Sequence, residues 1–379
     1  MTMPACFVVV RVWWTARFHP TQILLYKSLR LALLCTLFAA QTTIAETANP
    51  AIIAFGSCLK QWEPQIFWDG ISRLKPEVFI FTGDNIYSDA WNYKLLPEPE
   101  RIAVAYDDLA RNKKFRNFLN QAQANNTQIF AVWDDHDYGK NDAGAEYKYK
   151  LAAKKYFLDF FNLKQTATGD ASRPGIYRSQ SFILHGINIH LILLDTRSFR
   201  SKLTRTKPTK KCKAVNFLPN NDDKSTILGN DQWLWLQREL KKPADIRIIV
   251  SSIQVLPEEH CFEKWANFPK ERERLLNLLD KNNSSFTLII SGDRHLGEIS
   301  KLQLSNLKSP LYEITASGFN SALGENSKAK HEKNQHRVGG NILVNHFGTI
   351  ELYKTMERIN LKLQIRDENG VVLKAVEVD

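Results

Sequence analysis

Four short segments gather the residue types that hold cations and move protons: Gly56-Ser57-Cys58, Gly83-Asp84-Asn85, Trp133-Asp134-Asp135-His136-Asp137 and Gly292-Asp293-Arg294-His295. Hard cations take carboxylate oxygens, and borderline ones add imidazole, thiolate or phenolate, so each segment offers part of a metal site. Taken alone, Asp84 reads more readily as a turn residue. The run from Asp134 to Asp137 is harder to explain as a turn, because three carboxylates in four residues repel one another unless a cation or an arginine compensates them. Metal or catalytic use is the expectation there.

These segments need elements to bring them together. Short apolar runs at residues 52–55, 78–81, 129–132, 246–250 and 286–290 read as buried strands. Four of the five lead straight into the polar segments. In open α/β sheets ligands bind beyond the carboxyl ends of strands, and this is the pattern such a site leaves in a sequence. Helices are expected over 64–74, 146–161, 230–240 and 270–279. Runs at 180–184 and 187–194 around His185-Gly186 predict a hairpin. After residue 340 only strands are expected, at 342–353, 360–365 and 371–378, with Asn369-Gly370 as a tight turn. Residues 317–340 read as a long surface loop, and Trp233 and Trp235 as helix core. The fold class is α/β, with a C-terminal antiparallel strand region. Neither a repeat nor a glycine-rich nucleotide loop is present in the sequence.

The 379 residues, 44% apolar and 24% charged, exclude a disordered, collagenous or multi-span membrane chain. The net charge is +11, and Arg11, Arg17, Lys27 and Arg30 carry four of those charges before residue 46; without them 47 basic residues face 40 acidic ones, +7. Six more lie between residues 202 and 213 with no acid among them. That run is either a solvated insertion or a contact for phosphate or a polyanion. Residues 1–45 have the basic, apolar and small-residue parts of a secretory signal, the start of which lies unusually early. The apolar part, residues 31–40, is too short to span a bilayer, and no membrane span is expected. Export to the periplasm or the medium is expected, with residues 46–379 as one domain. Cleavage after Ala45 leaves Cys58, Cys212 and Cys261; the simplest arithmetic pairs Cys212 with Cys261 and frees Cys58 for another task.

Phe55-Gly56-Ser57-Cys58, the stretch from Gly83 to Asp89, the stretch from Trp133 to Gly139 with Asn141-Asp142, and Gly292-Asp293-Arg294-His295 together resemble the PhoD-type alkaline phosphatases, within the calcineurin-like metallophosphoesterases. The resemblance covers roughly residues 51–320. It implies a four-layer α/β/β/α sandwich, with residues 341–379 completing the second sheet, and a centre of two or three metals that hydrolyses phosphate esters. Cys58, Asp135, Gln254 and Asp293 depart from the common superfamily pattern in the PhoD manner and imply an oxygen-rich centre rather than a histidine-rich one. The phenolate ligand implied by the family falls on Tyr106, with Tyr87 as its rival.

The resemblance and the ligand chemistry assign Cys58, Tyr106, Asp293 and His295 to Fe3+, and Asp135 to Ca2+, with Asp84 bridging; Zn2+ or Mn2+ is the alternative. Bound cations would polarise the phosphoryl oxygens and acidify a water. His136 is the candidate acid for the leaving alkoxide, or else a ligand, and Arg294 either steadies a phosphate oxygen or neutralises the strand-end acids. The expected substrate is a small phosphate ester acted on by a monomer, with no specific nucleic-acid partner. A phospholipase-type phosphodiesterase and a non-catalytic polyanion-binding protein are the alternatives.

Overall fold

Strand β1 (Ala51–Gly56) pairs in parallel with β2 (Val78–Thr82), and β2 with β3 (Gln128–Val132). This is the start of the first sheet in a computed structural model that describes residues 49–163, 173–210, 212–213, 215–283, 285–355 and 358–378. Contacts divide the chain into residues 1–49 and 50–379, and the fold described is that of the second unit. The expected signal segment, residues 1–45, lies outside the described residues.

Helix α1 (Phe67–Leu74) precedes β2, and α2 (Glu100–Arg111) and α3 (Lys113–Ala124) lie between β2 and β3. A short α4 (Asp135–Tyr138) and α5 (Lys150–Phe160) follow. The second sheet begins with the hairpin of β4 (Arg178–Leu184) and β5 (Ile187–Leu193), whose two-residue turn holds His185 at φ 47° and Gly186 at φ 75°. Two positive φ values are what a tight hairpin turn requires. A small ladder, β6 (Thr204–Arg205) with β7 (Phe217–Leu218), precedes α6 (Gly229–Glu239), β8 (Ile246–Ser251), α7 (Pro269–Lys281), β9 (Phe286–Ser291), β10 (Gly297–Leu302) and β11 (Leu311–Ala316). The chain ends with β12 (His346–Lys354), β13 (Ile359–Asp367) and β14 (Val372–Val378).

The sheet orders are β14-β13-β12-β1-β2-β3 and β10-β11-β9-β8-β5-β4. The last three strands were expected to complete the second sheet; they extend the first instead. Ile53 of β1 lies antiparallel to Ile350 of β12, so an apolar β1 edge is covered rather than exposed.

Alternation along each strand makes the layers. Ile248, Val250, Leu288 and Ile290 of the second sheet share a core with Ile53, Ile350 and Leu363 of the first. Their neighbours Ile249 and Ile289 turn the other way and pack with Trp233, Leu236, Leu275 and Leu279 of α6 and α7. On the first sheet, Phe79 and Phe81 meet Trp68 of α1, which stacks on Phe118 of α3 at 4.4 Å. The two sheets therefore face each other with helices outside, the expected four-layer α/β sandwich. Trp233 is wholly buried, as the helix-core reading requires. Residues 317–340 are only partly a surface loop: Phe319 is buried and stacks on Phe67 at 4.4 Å.

Candidate metal centre

The carboxyl ends of β1, β2, β3 and β9 converge, and the backbone there is bent sharply. Cys58 has φ 63°, Asp84 49°, Asp293 70°, His295 56° and, further along, Asp142 58°. Non-glycine residues adopt this left-handed region at a cost of roughly 1–2 kcal/mol each, so the surrounding contacts must hold them there. Glycines let the turns touch. A Cβ on Gly83, itself at φ 101°, would lie 2.7 Å from the Asp134 Cβ, and one on Gly292 would lie 2.6 Å from Ser57 Oγ.

One side of the cleft holds Cys58, Asp84, Tyr87 and His295. Cys58 Sγ donates to Asp84 Oδ2 at 3.5 Å, and the Tyr87 hydroxyl donates to the same oxygen at 3.3 Å. The Tyr87 oxygen also lies 2.7 Å from His295 Nε2. On the other side, ligand atoms of Asp84, Asp134, Asp135 and Asp293 lie within 4.8 Å of one another, as do those of Asp84, Asp135 and His136, and those of Asp135, Asp142 and Glu263. Asp84 belongs to both sides. The cleft is a cavity of about 320 Å³ that also takes in Asn141, Arg205, Phe262 and Arg294.

The acidic run divides its labour. Asp137 accepts from the backbone N–H of Asn85 at 3.1 Å and of Asp134 at 2.9 Å, tying the β2 and β3 turns together. Asp134 Oδ1 accepts from Arg197 Nε at 2.5 Å and from Ser252 Oγ at 2.6 Å. Asp135 accepts from the backbone N–H of Asp142, at 2.7 Å through Oδ2. Its Oδ1, together with Asp84 Oδ1 and Asp134 Oδ2, is buried with no hydrogen-bond partner. Buried carboxylate oxygens are costly without a partner, and three of them beside a thiol, a phenol and an imidazole are a donor set that cations satisfy. The residues present therefore fit a metal centre.

The protein's own charges do not balance the acids. Burial pushes the Asp84 and Asp293 carboxyls well up, and Asp134 and Asp135 push both further. Burial lifts Asp134 to about 7 despite Arg197, and Asp142 to about 7. The Cys58 thiol is raised by burial and by Asp84, and burial takes His295 down to about 3. Asp135 is the exception: burial raises it, but His136 and Arg197 outweigh that and bring it to about 2.

Tyr106, the expected phenolate, lies apart from the Cys58, Asp84 and His295 cluster. Its hydroxyl donates to Asp137 at 3.0 Å and its ring stacks on Phe160 at 4.5 Å, so it braces the turn from behind while Tyr87 faces Cys58 and His295. His136 projects into the cleft with Nδ1 2.5 Å from Asp89 Oδ1, its ring 4.1 Å from that of Tyr87. Burial would lower the His136 pKa, but Asp135, Asp84 and Asp89 outweigh it and raise it well above the ordinary value. Arg294 directs its hydrogen bonds away from the strand-end acids: Nη2 donates to Glu332 at 2.8 and 3.0 Å, and its buried Nε has no partner, while its charge still acts on Asp293. Gln254 donates to Glu298 at 2.6 Å and Thr315 at 2.9 Å.

Sequence reasoning missed Arg197 and Glu263, and gave Asp89, within the stretch from Gly83 to Asp89, no role of its own. Arg197 Nη1 pairs with Glu263 at 2.7 Å, and Arg200 Nε with the other Glu263 oxygen at 2.7 Å. A signal existed: Asp195-Thr196-Arg197 follows β5 much as the other polar turns follow their strands. Cys212 and Cys261 form the disulfide that the cysteine arithmetic suggested, leaving Cys58 as a free, buried thiol.

Two mixed six-stranded sheets with these ligand types at their strand ends define a phosphoesterase-type fold. Residues 53–369 match the family model of the PhoD-like phosphatases, and the chain belongs to that family. It is 23% identical over 283 residues to alkaline phosphatase D of Bacillus subtilis (strain 168), an alignment covering 66% of this chain and 47% of that protein. The chain thus spans about half the length of the curated relative it matches. The structure of PhoD superposes with a TM-score of 0.63 at 16% identity, over 87% of this chain and 68% of that one. GAP50, the anchor in the inner membrane complex of Plasmodium, gives 0.53 at 17% identity over 87% of this chain and 89% of its own. At these identities the structural likeness speaks for the fold.

Proposed function

We propose that the protein is an exported, metal-dependent phosphoric ester hydrolase. Cys58, Tyr87, Asp293 and His295 would hold Fe3+, and Asp135 with Asp142 would hold Ca2+, with Asp84 shared between them. Zn2+ or Mn2+ is the alternative pair. The observation that carries this reading is the set of buried, unpartnered oxygens on Asp84, Asp134 and Asp135 in one cleft with a thiol, a phenol and an imidazole. When bound, such cations supply Lewis acidity toward phosphoryl oxygens and acidify a water.

The chain's own groups do the rest. His136, held at Nδ1 by Asp89, presents its other nitrogen to the cleft as the acid that protonates the leaving alkoxide. Arg294, fixed by Glu332, seated over Phe262 at 4.3 Å and lining the cleft, would steady a phosphoryl oxygen of the ester. Export is supported by the Cys212–Cys261 bond, which suits an oxidising compartment. No helix of the described residues is long and apolar enough to cross a membrane.

The test is turnover of p-nitrophenyl phosphate, bis-p-nitrophenyl phosphate and phosphatidylcholine, before and after chelation and with iron, calcium, zinc or manganese resupplied. Metal-restored turnover of the aryl esters is expected. Turnover confined to phosphatidylcholine would favour a phospholipase, and none on any substrate would favour a polyanion-binding protein. His136→Ala should cost far more with alkyl esters than with p-nitrophenyl phosphate, whose leaving group needs no proton. Equal losses would remove His136 from the acid role.

A further inference from the structure

Beside the metal cleft lies a second, larger cavity of about 590 Å³, and the two share Val215, Phe262, Arg294 and Leu323. Its lining takes Lys210 and Lys213 from the basic run and Lys328 and Lys333 from the segment after β11. Arg294 stands where the cavities meet. Against these five cations the lining has two carboxylates, Glu259 and Glu332, and Glu332 is already committed to Arg294. None of the four lysines has a carboxylate partner among the described residues. Phe262 and Leu323, 38% and 42% exposed, leave an apolar strip between the metal end and the lysines.

Both segments are held in place. The disulfide ties Cys212, next to Lys213, to the segment bearing His260 and Phe262, and the Phe217 N–H donates to the Cys261 carbonyl at 3.1 Å. A turn closed by Thr209 N–H to the Cys212 carbonyl, at 2.9 Å, sets Lys210 between them. In the segment after β11, Arg337 Nη1 donates to the Glu332 carbonyl at 2.7 Å and Asn341 to the Ala329 carbonyl at 2.7 Å. A solvated insertion would not need this bracing.

We propose that this outer cavity is a subsite for a second phosphate, carried on the organic part of the ester beyond the reacting phosphorus, with Phe262 and Leu323 contacting the apolar portion between. The proposal rests on the hydrolase reading above. Lysines from two separate segments lining one cavity suit a multiply charged phosphate, which can accept from several ammonium groups at once. The preferred substrates are then bisphosphorylated esters rather than simple monophosphates.

The experiment compares adenosine 3′,5′-bisphosphate with adenosine 5′-monophosphate on the metal-replete enzyme, alongside p-nitrophenyl phosphate. At low ionic strength kcat/KM should be roughly tenfold higher for the bisphosphate, well beyond what an additional scissile ester adds, and the ratio should fall with added salt. In the Lys213→Glu/Lys333→Glu double variant that ratio should collapse toward one. Equal kcat/KM for the two nucleotides, or a ratio indifferent to both salt and the charge reversals, would overturn the subsite while p-nitrophenyl phosphate turnover left the hydrolase reading standing. No turnover of any of the three would overturn the hydrolase reading and the subsite with it.

Discussion

The Tyr87 hydroxyl lies 2.7 Å from His295 Nε2 and 3.3 Å from the Asp84 carboxylate, joining the turns after β2 and β9 through one phenol. Tyr106, 19 residues further on, faces Asp137 instead. Protein loaded with iron should therefore show a phenolate-to-iron absorption in the visible that Tyr87→Phe abolishes and Tyr106→Phe retains. Loss of the band in Tyr106→Phe alone would reverse the assignment.

Arg197 is wholly buried and holds Asp134 and Glu263 together. Removing one partner of such a group leaves buried charge uncompensated. Arg197→Met should lower the unfolding free energy of the metal-free protein by roughly 3–5 kcal/mol in urea denaturation. A change within error would mean that the acids do not depend on it.

Glu313 of β11 accepts from the backbone N–H groups of Val255 and Leu256, at 2.9 and 2.6 Å, and burial raises its pKa from 4.5 to about 7. Between those values the folded protein keeps a proton that the unfolded chain has lost, so this group makes stability fall as pH rises through the window. Glu313→Gln removes the titration. Relative to the wild type, the variant should gain up to roughly 3 kcal/mol between pH 4.5 and pH 7. Parallel stability profiles in urea titrations at the two pH values would contradict this.

The disulfide between Cys212 and Cys261 spans 49 residues. Loop-closure entropy sets a ceiling of about 4 kcal/mol on what it contributes. Cys212→Ser with Cys261→Ser should lower thermal stability and expose the basic wall to proteolysis, read by limited trypsin digestion. Unchanged digestion would show that the wall is held without it.

The strand ends were legible because an apolar run followed by glycine and acid is a local pattern, and β1, β2, β3, β8 and β9 formed within a residue of their expected bounds. Which tyrosine entered the centre was not, since that depends on how the β2 turn folds back over Cys58. Helices α2 and α3 carried a readable signal in Ile102, Ala105, Tyr106 and Leu109, buried at helical spacing, and in Asn112, whose Oδ1 accepts from Lys114 and Phe115 at 2.9 and 3.2 Å. Strand β10 was obscured by Gly297, Glu298, Ser300 and Lys301, polar because Glu298 pairs with Arg337 and Ser300 with Asn334. The sheet joined by residues 341–379 was invisible for another reason: the pairing of Ile53 with Ile350 is set by packing across almost the whole domain, and no local pattern encodes it.

Elemental analysis of the purified wild type and of Asp84→Asn, each after resupply and desalting, bears most directly on the caged-cation centre. Stoichiometric iron, calcium, zinc or manganese in the wild type and its loss in Asp84→Asn is the predicted result. A wild type that retains none of these metals, or an Asp84→Asn protein that holds them equally well, would contradict it.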